Sequence, residues 1–348
     1  MKKILIVGYG VIGKRVADAV SLQNDMEICG IVETQITSLN SILVLKGYPL
    51  FGYDEAAVSA MKEGGYPVIG DLHDGLRIAD LVVDATPAGI ARINMPLYAA
   101  AKVPVIINGG EKADTADVSF NALENYEAAY GRMKVRVVSC NTTAICRVIY
   151  ALQKVSKISE SHVALVRRAA DPVKTNKGPI NAIIPVLGGF SHHADDVRTI
   201  FPDLKITSLA VATSATLSHV HMFKASFESE FSHEAVIEAL ATTPRIVLID
   251  GNMGLKDDAQ IKEYYKDIGR PRGDMWEVAV WKDSIEVVSN ELSLIYNVHM
   301  ESIPVPGHID AVRSMLKIES DAGTSVKATD QSLGCSSDNY DYDLRKPS

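Results

Sequence analysis

Along the first 139 residues, short runs of consecutive apolar, mostly β-branched residues alternate with stretches of helical periodicity. "KILIVG", "EICGIVE", "ADLVVDATP", "VPVIING" and "VRVVS" are the apolar runs, and "VIGKRVADAVSLQ" is the first helical stretch. A strand apolar on both faces must be covered on both, and helices between such strands supply the cover. The pattern therefore predicts an α/β fold with a Rossmann-like, doubly wound parallel sheet. From Cys140 onward the grammar changes. "HVALVRRAAD", "KITSLAVATSATLSHVHMFKASF", "RIVLID" and "MWEVAVWKDSIEVVSNELSLIYNVHM" are long strand-like runs with helices such as "HEAVIEALATT" between them. They predict an α+β domain with a mostly antiparallel sheet. "PGHIDAVRSMLKIES" sets Ile309, Val312, Met315 and Leu316 at helical spacing and predicts a late amphipathic helix. The Ser-, Asp- and Thr-rich stretch from about Ala322 is expected to be a loosely ordered tail.

At 348 residues the chain is long enough for two cores. A formal net charge of −8 argues against a general binder of nucleic acid or anionic membranes, so an anionic ligand must be held by local groups. Four dispersed cysteines fit neither a disulfide framework nor a zinc spacing, and no metal is expected. The opening "MKKILIVGYGVIG" is glycine-punctuated and lacks a small-residue cleavage site, which reads as a first strand in a cytoplasmic protein.

That opening also carries chemistry. Gly8, Gly10 and Gly13 form G-x-G-x-x-G directly after a strand and at the start of a helix. Such glycines permit a tight turn, a close approach of backbone to a pyrophosphate, and close helix–strand packing. Glu33 follows twenty positions beyond Gly13, where a carboxylate accepts from the adenosine ribose and repels a 2′-phosphate. A dinucleotide site preferring NAD, with NADP possible, is expected.

In "RVVSCNTTAICRVIY", Cys140 stands where a strand gives way to a helix. Unpaired backbone N–H groups and the positive dipole end at a helix start favour thiolate. A cysteine nucleophile beside a nicotinamide site suggests aldehyde oxidation through a thiohemiacetal and a thioester. A base near the sulfur is then needed, and His219 and His221 in "TLSHVHM" share one strand face. His192 and His193 lie in a glycine-rich loop, and Arg167 and Arg168 end an apolar strand, where guanidinium groups suit phosphate or carboxylate. An ion pair with Asp171 is the alternative for those arginines.

With "GYGVIGKRVADAV", "GGEK", "RVVSCNTT", "VRRAADP", "KGPINAIIP", "SHH" and "HMESI" in this order, the chain resembles the archaeal-type (class II) phosphorylating glyceraldehyde-3-phosphate dehydrogenases. The resemblance implies a cofactor domain of residues 1–139 rejoined by a C-terminal helix at 303–321 and a catalytic domain of 140–302, and it leaves uncovered the expected tail at 322–348. It implies a homotetramer, and the phosphorylating oxidation of D-glyceraldehyde 3-phosphate to 1,3-bisphosphoglycerate in glycolysis or gluconeogenesis, with inorganic phosphate as co-substrate. Carried over by residue, Cys140 is the nucleophile and His219 its base. Ser139, Asn141, Thr142, His192, His193 and Arg167 contact substrate. Gly8, Gly10, Val11, Ile12, Gly13, Glu33, Thr34, Gly110, Arg168 and Met300 lie at the cofactor. Glu33 stands where the family often has lysine, Met300 where it has glutamine, and "SHHADD" brings Asp195 beside the expected phosphate site. Two other readings stay open: another thioester-forming dehydrogenase, such as one acting on aspartate semialdehyde, and an NAD-binding sensor without turnover.

Overall fold

The structure, a computed structural model, describes residues 1–170 and 178–335. Asp171 and the chain from Ser336 onward lie outside the described residues. The chain divides into two compact units, one of Met1–Ser139 with Pro304–Leu333 and one built on Cys140–Ile303.

In the first unit, eight strands form one sheet: β1 (Lys2–Val7), β2 (Met26–Glu33), β3 (Leu50–Gly52), β4 (Val68–Asp71), β5 (Leu81–Asp84), β6 (Val105–Asn108), β7 (Val118–Phe120) and β8 (Lys134–Val137). Their order is β4-β3-β2-β1-β5-β6-β8-β7, and every pairing is parallel. Ile4, Leu5, Ile6, Leu81, Val82 and Val83 are fully buried, as consecutive apolar residues covered on both faces must be. The order reverses between β1 and β5, and ligands of such sheets bind outside the carboxyl ends of the strands at that reversal.

The expected late helix forms over Val305–Met315. The expected loose tail does not begin at Ala322, because Ala322–Leu333 is a second helix. Buried polar groups, which the composition disguised as solvation, hold it. Asp310 accepts from Ser325 Oγ at 2.9 Å and from Thr329 Oγ1 at 2.7 Å. Arg313 donates to Thr329 Oγ1 at 2.6 Å, Gln23 Oε1 at 2.7 Å and Asp25 Oδ2 at 2.7 Å.

The second unit holds a mixed sheet of β9 (Ile158–Arg167), β10 (Ile184–Pro185), β11 (Ile206–Ala212), β12 (His219–Phe227), β13 (Ile246–Ile249), β14 (Val278–Trp281), β15 (Glu286–Val288) and β16 (Glu291–Val298). Their order is β10-β11-β9-β12-β16-β14-β13, with β15 beside β16. Most pairs are antiparallel, but β9 with β11 and β13 with β14 run parallel. Strand β12 alternates strictly, burying His219, His221, Phe223, Ala225 and Phe227 on one face. Helix Cys140–Leu152 is buried nearly all round, the signature of a core helix. Its Arg147 donates to the carbonyls of Trp276 at 2.7 Å and Ile303 at 2.8 Å.

Because Arg313 ties three segments together from a buried position, Arg313→Met is expected to cost about 2 kcal/mol or more, discounted for the partial exposure of Asp25. A lowered urea midpoint checks this; an unchanged midpoint contradicts it.

Candidate active site

At the carboxyl edge of the first sheet, Gly8 has φ +90°, and a Cβ there would lie 3.1 Å from the Ala85 backbone. A Cβ on Gly13 would meet the Gly8 carbonyl oxygen at 1.9 Å, so only glycine lets helix Val11–Ser21 start so close to the strand. Gly10 is exposed and a Cβ there would meet nothing within 4 Å, which leaves room for a pyrophosphate against the turn. Glu33, at the end of β2, accepts the Tyr9 N–H of the same turn. Burial raises its pKa, opposed by that N–H and by Lys14. Val11 and Ile12 are half-buried in the first helical turn, and Thr34 and Gly110 are exposed just beyond the ends of β2 and β6. Gly109 allows its loop to press on Ser139, since a Cβ would lie 2.1 Å from the Ser139 nitrogen. These residues fit a dinucleotide.

In the second unit, Cys140 opens its helix and is partly exposed. The expected easy thiolate is offset: burial pushes the thiol up to about 12 and Glu301 adds to this, against Arg168, the Asn141 N–H and Arg167.

Arg168 has its side chain fully buried in an ion pair with Glu301 at 2.5 Å. Its backbone N–H donates to His219 Nδ1 at 2.9 Å. A backbone N–H can only donate, so the neutral His219 ring carries its proton on Nε2. Burial and the two arginines push the His219 pKa down to about 3. In this tautomer the ring presented by β12 is neutral and offers Nε2–H as a hydrogen-bond donor.

His192 and His193 also separate. Their rings stack at 4.2 Å, but His192 is exposed while His193 is buried with both nitrogens engaged, to Ser191 Oγ at 3.1 Å and Asn141 at 3.2 Å. Burial, His192 and Arg167 push the His193 pKa down to about 3, so it brings no charge to a phosphate. Asn141 and Thr142 are buried as well, Thr142 donating to Asp196. Half-buried Arg167, whose Nε has no partner among the described residues, and exposed His192 stay available to an anion. Asp195 pairs with Arg198 on the exposed side of its short helix. Met300 is half-buried in the turn after β16.

Reading the sequence missed Glu301 and the serines behind His193. Glu301 was within the quoted "HMESI", but no spacing rule links it to Arg168, 133 positions away. His221 was flagged by strand alternation without its partner: its Nε2 lies 2.9 Å from Asn141 Oδ1.

Residues 139–284 match the family model of the glyceraldehyde 3-phosphate dehydrogenase C-terminal domain, and residues 2–126 that of the dihydrodipicolinate reductase N-terminus. The chain is 42% identical over 338 residues to a glyceraldehyde-3-phosphate dehydrogenase of Methanocaldococcus jannaschii, covering 95% of this chain and 98% of that protein. It is 43% identical to glyceraldehyde-3-phosphate dehydrogenase 1 of Methanosarcina barkeri, over 96% of this chain and 98% of the relative. It is also 43% identical to the corresponding protein of Pyrobaculum neutrophilum, over 98% of this chain and the whole of the relative.

The buried neutral histidines make stability depend on pH. Unfolded, each takes up a proton below about 6.5, whereas native His193 and His219 do so only near about 3. Between those values the unfolded state binds more protons, so stability falls as pH falls, by on the order of 2 kcal/mol per histidine at about pH 5. Urea unfolding at about pH 7 and pH 5 checks this, and His219→Gln is expected to flatten the dependence; equal stabilities at the two pH values contradict it.

Proposed function

Since the chain belongs to the glyceraldehyde-3-phosphate dehydrogenase family, we propose that it oxidises D-glyceraldehyde 3-phosphate to 1,3-bisphosphoglycerate through a thioester on Cys140. The observation that carries this is Cys140 at the start of a buried helix, with Arg168 and Arg167 opposing the burial of its charge. We assign the dinucleotide to residues 1–139 with the C-terminal helices, and catalysis to 140–302.

The Cys140 thiolate adds to the aldehyde carbon and leaves a tetrahedral alkoxide. His219 Nε2–H donates to that oxygen as its negative charge develops, which needs no base for the hydroxyl because none forms. A bound nicotinamide supplies the acceptor for the hydride that the adduct releases. With the hydride gone, the carbonyl reforms as a thioester on Cys140. Inorganic phosphate attacks that carbonyl, the carbon–sulfur bond breaks, and the thiolate returns. Arg167 and His192 hold phosphate oxygens; Ser139 lies one residue before the nucleophile and is half-exposed, in reach of substrate.

Glu33 supports NAD over NADP, since a 2′-phosphate would meet a carboxylate at the end of β2. A homotetramer is supported by the outer face of the second sheet. Leu209, Ala164, Met222 and Ile295 pair in register across β11, β9, β12 and β16, and Leu209 and Met222 are 49% and 43% exposed. An apolar row of this kind fits a second copy of the chain. Among the described residues no helix is long and apolar enough to cross a membrane, and we place the enzyme in the cytoplasm.

The test is dinucleotide reduction by purified protein with glyceraldehyde 3-phosphate. Phosphate-dependent turnover, faster with NAD than NADP, is expected, and Cys140→Ser is expected to lose at least about a thousandfold in rate while keeping dinucleotide affinity. Turnover that survives in Cys140→Ser contradicts the reading.

A further inference from the structure

Asn141 follows the nucleophile directly, is buried, and has both ends of its amide occupied. Its Oδ1 lies 2.9 Å from His221 Nε2 on β12, and its Nδ2 lies 3.2 Å from His193 Nε2 on the short helix His193–Arg198. His193 Nδ1 lies 3.1 Å from Ser191 Oγ, which lies 2.7 Å from Ser208 Oγ on β11.

The direction of this chain can be solved from its end. Ser208 Oγ donates its one proton to the Ser191 carbonyl at 2.8 Å. Ser191 Oγ must then donate to Ser208, and therefore accept from His193 Nδ1–H. His193 Nε2 is left as an acceptor, so Asn141 gives it an amide proton and takes one from His221 Nε2–H at the other end. His221 Nδ1 is the remaining end and has no partner among the described residues. The reversed chain would leave a buried N–H there, and orphaned donors are rarer than orphaned acceptors.

We propose that Asn141 is a positioning residue: by bridging two neutral buried histidines on different elements, it fixes the turn that aims the Cys140 sulfur. An amide alone among side chains of this size both gives and takes a hydrogen bond in a fixed plane. This rests on the reading of Cys140 as nucleophile.

Asn141→Asp tests it, because a carboxylate keeps the acceptor for His221 and loses the donor for His193. The whole chain then closes only when His193 is protonated and donates from both nitrogens, because the neutral Nε2–H tautomer would need the Ser191 Oγ proton that Ser208 accepts. The groups acting on His193 are His192 on its own turn, Arg167 at the end of β9, and His219 and His221 on β12. None is a carboxylate, so the substitution introduces the one group that favours the imidazolium.

The readout is the burst of reduced dinucleotide formed without inorganic phosphate, which reports acylation alone. In Asn141→Asp the burst rate is expected to fall on the order of a hundredfold at about pH 8 and to recover toward wild type at about pH 6, with unchanged dinucleotide affinity. The wild type is expected to lack this fall with rising pH. Adding His193→Gln, whose amide donates at any pH, is expected to remove the fall. Asn141→Asp with wild-type rates, or with an equal loss at every pH, overturns the inference alone. A wild type without any burst overturns it together with the thioester reading.

Discussion

Positive charge is costly to bury, and at His219 and His221 on the covered face of the second sheet and at His193 on the helix beside it burial outweighs what little opposes it, the Glu301 carboxylate near His219 being taken up by Arg168. His193, His219 and His221 are therefore held neutral. A neutral imidazole has one donor and one acceptor, and each ring's partner decides which nitrogen is which. The Arg168 N–H decides it for His219, and the serine pair behind His193 decides it for the Asn141 bridge. Arg168, a full charge buried beside His219, is matched by Glu301. From that constraint follow a His219 ring with its proton on Nε2 and an Asn141 bridge between His193 and His221 made without charge.

The two sheets were legible because their signals are periodic. Consecutive apolar residues in "KILIVG" admit only a doubly covered strand, and alternation through "HVHMFKASF" admits only a half-covered one. The helix Ala322–Leu333 was not legible. Its inward side is Ser325, Val326, Thr329 and Leu333, and two of these are polar. They are buried because Asp310 and Arg313 await them, and polarity that is satisfied in the interior reads in sequence as polarity in water. The two parallel pairings in the second sheet were hidden for a related reason, since strand direction depends on connections and not on the strand's own pattern.

At the site, the glycine turn, Glu33 and Cys140 could be placed from local spacing, because each sits at a strand end where the backbone dictates the residue. The roles of Arg168, Asn141, Thr142 and His193 could not. Residue type suggested that arginine and histidine would meet anions, and what it could not show is their burial and their partners that are distant in sequence. Arg168 and Glu301 are 133 positions apart, and Asn141 and His221 are 80 apart. The general lesson is specific to these residues: a strand-end glycine speaks for itself, while a buried polar side chain is defined by what it faces.

The central claim is a covalent bond between Cys140 and the oxidised substrate. It is tested most directly by mixing the protein with glyceraldehyde 3-phosphate and NAD in the absence of inorganic phosphate, quenching in acid, and measuring the mass of the peptide that contains Cys140. The account requires an acyl adduct on that peptide, in amounts matching the dinucleotide reduced, that disappears when phosphate is added before the quench. Reduced dinucleotide with an unmodified Cys140 peptide at every time point would contradict it.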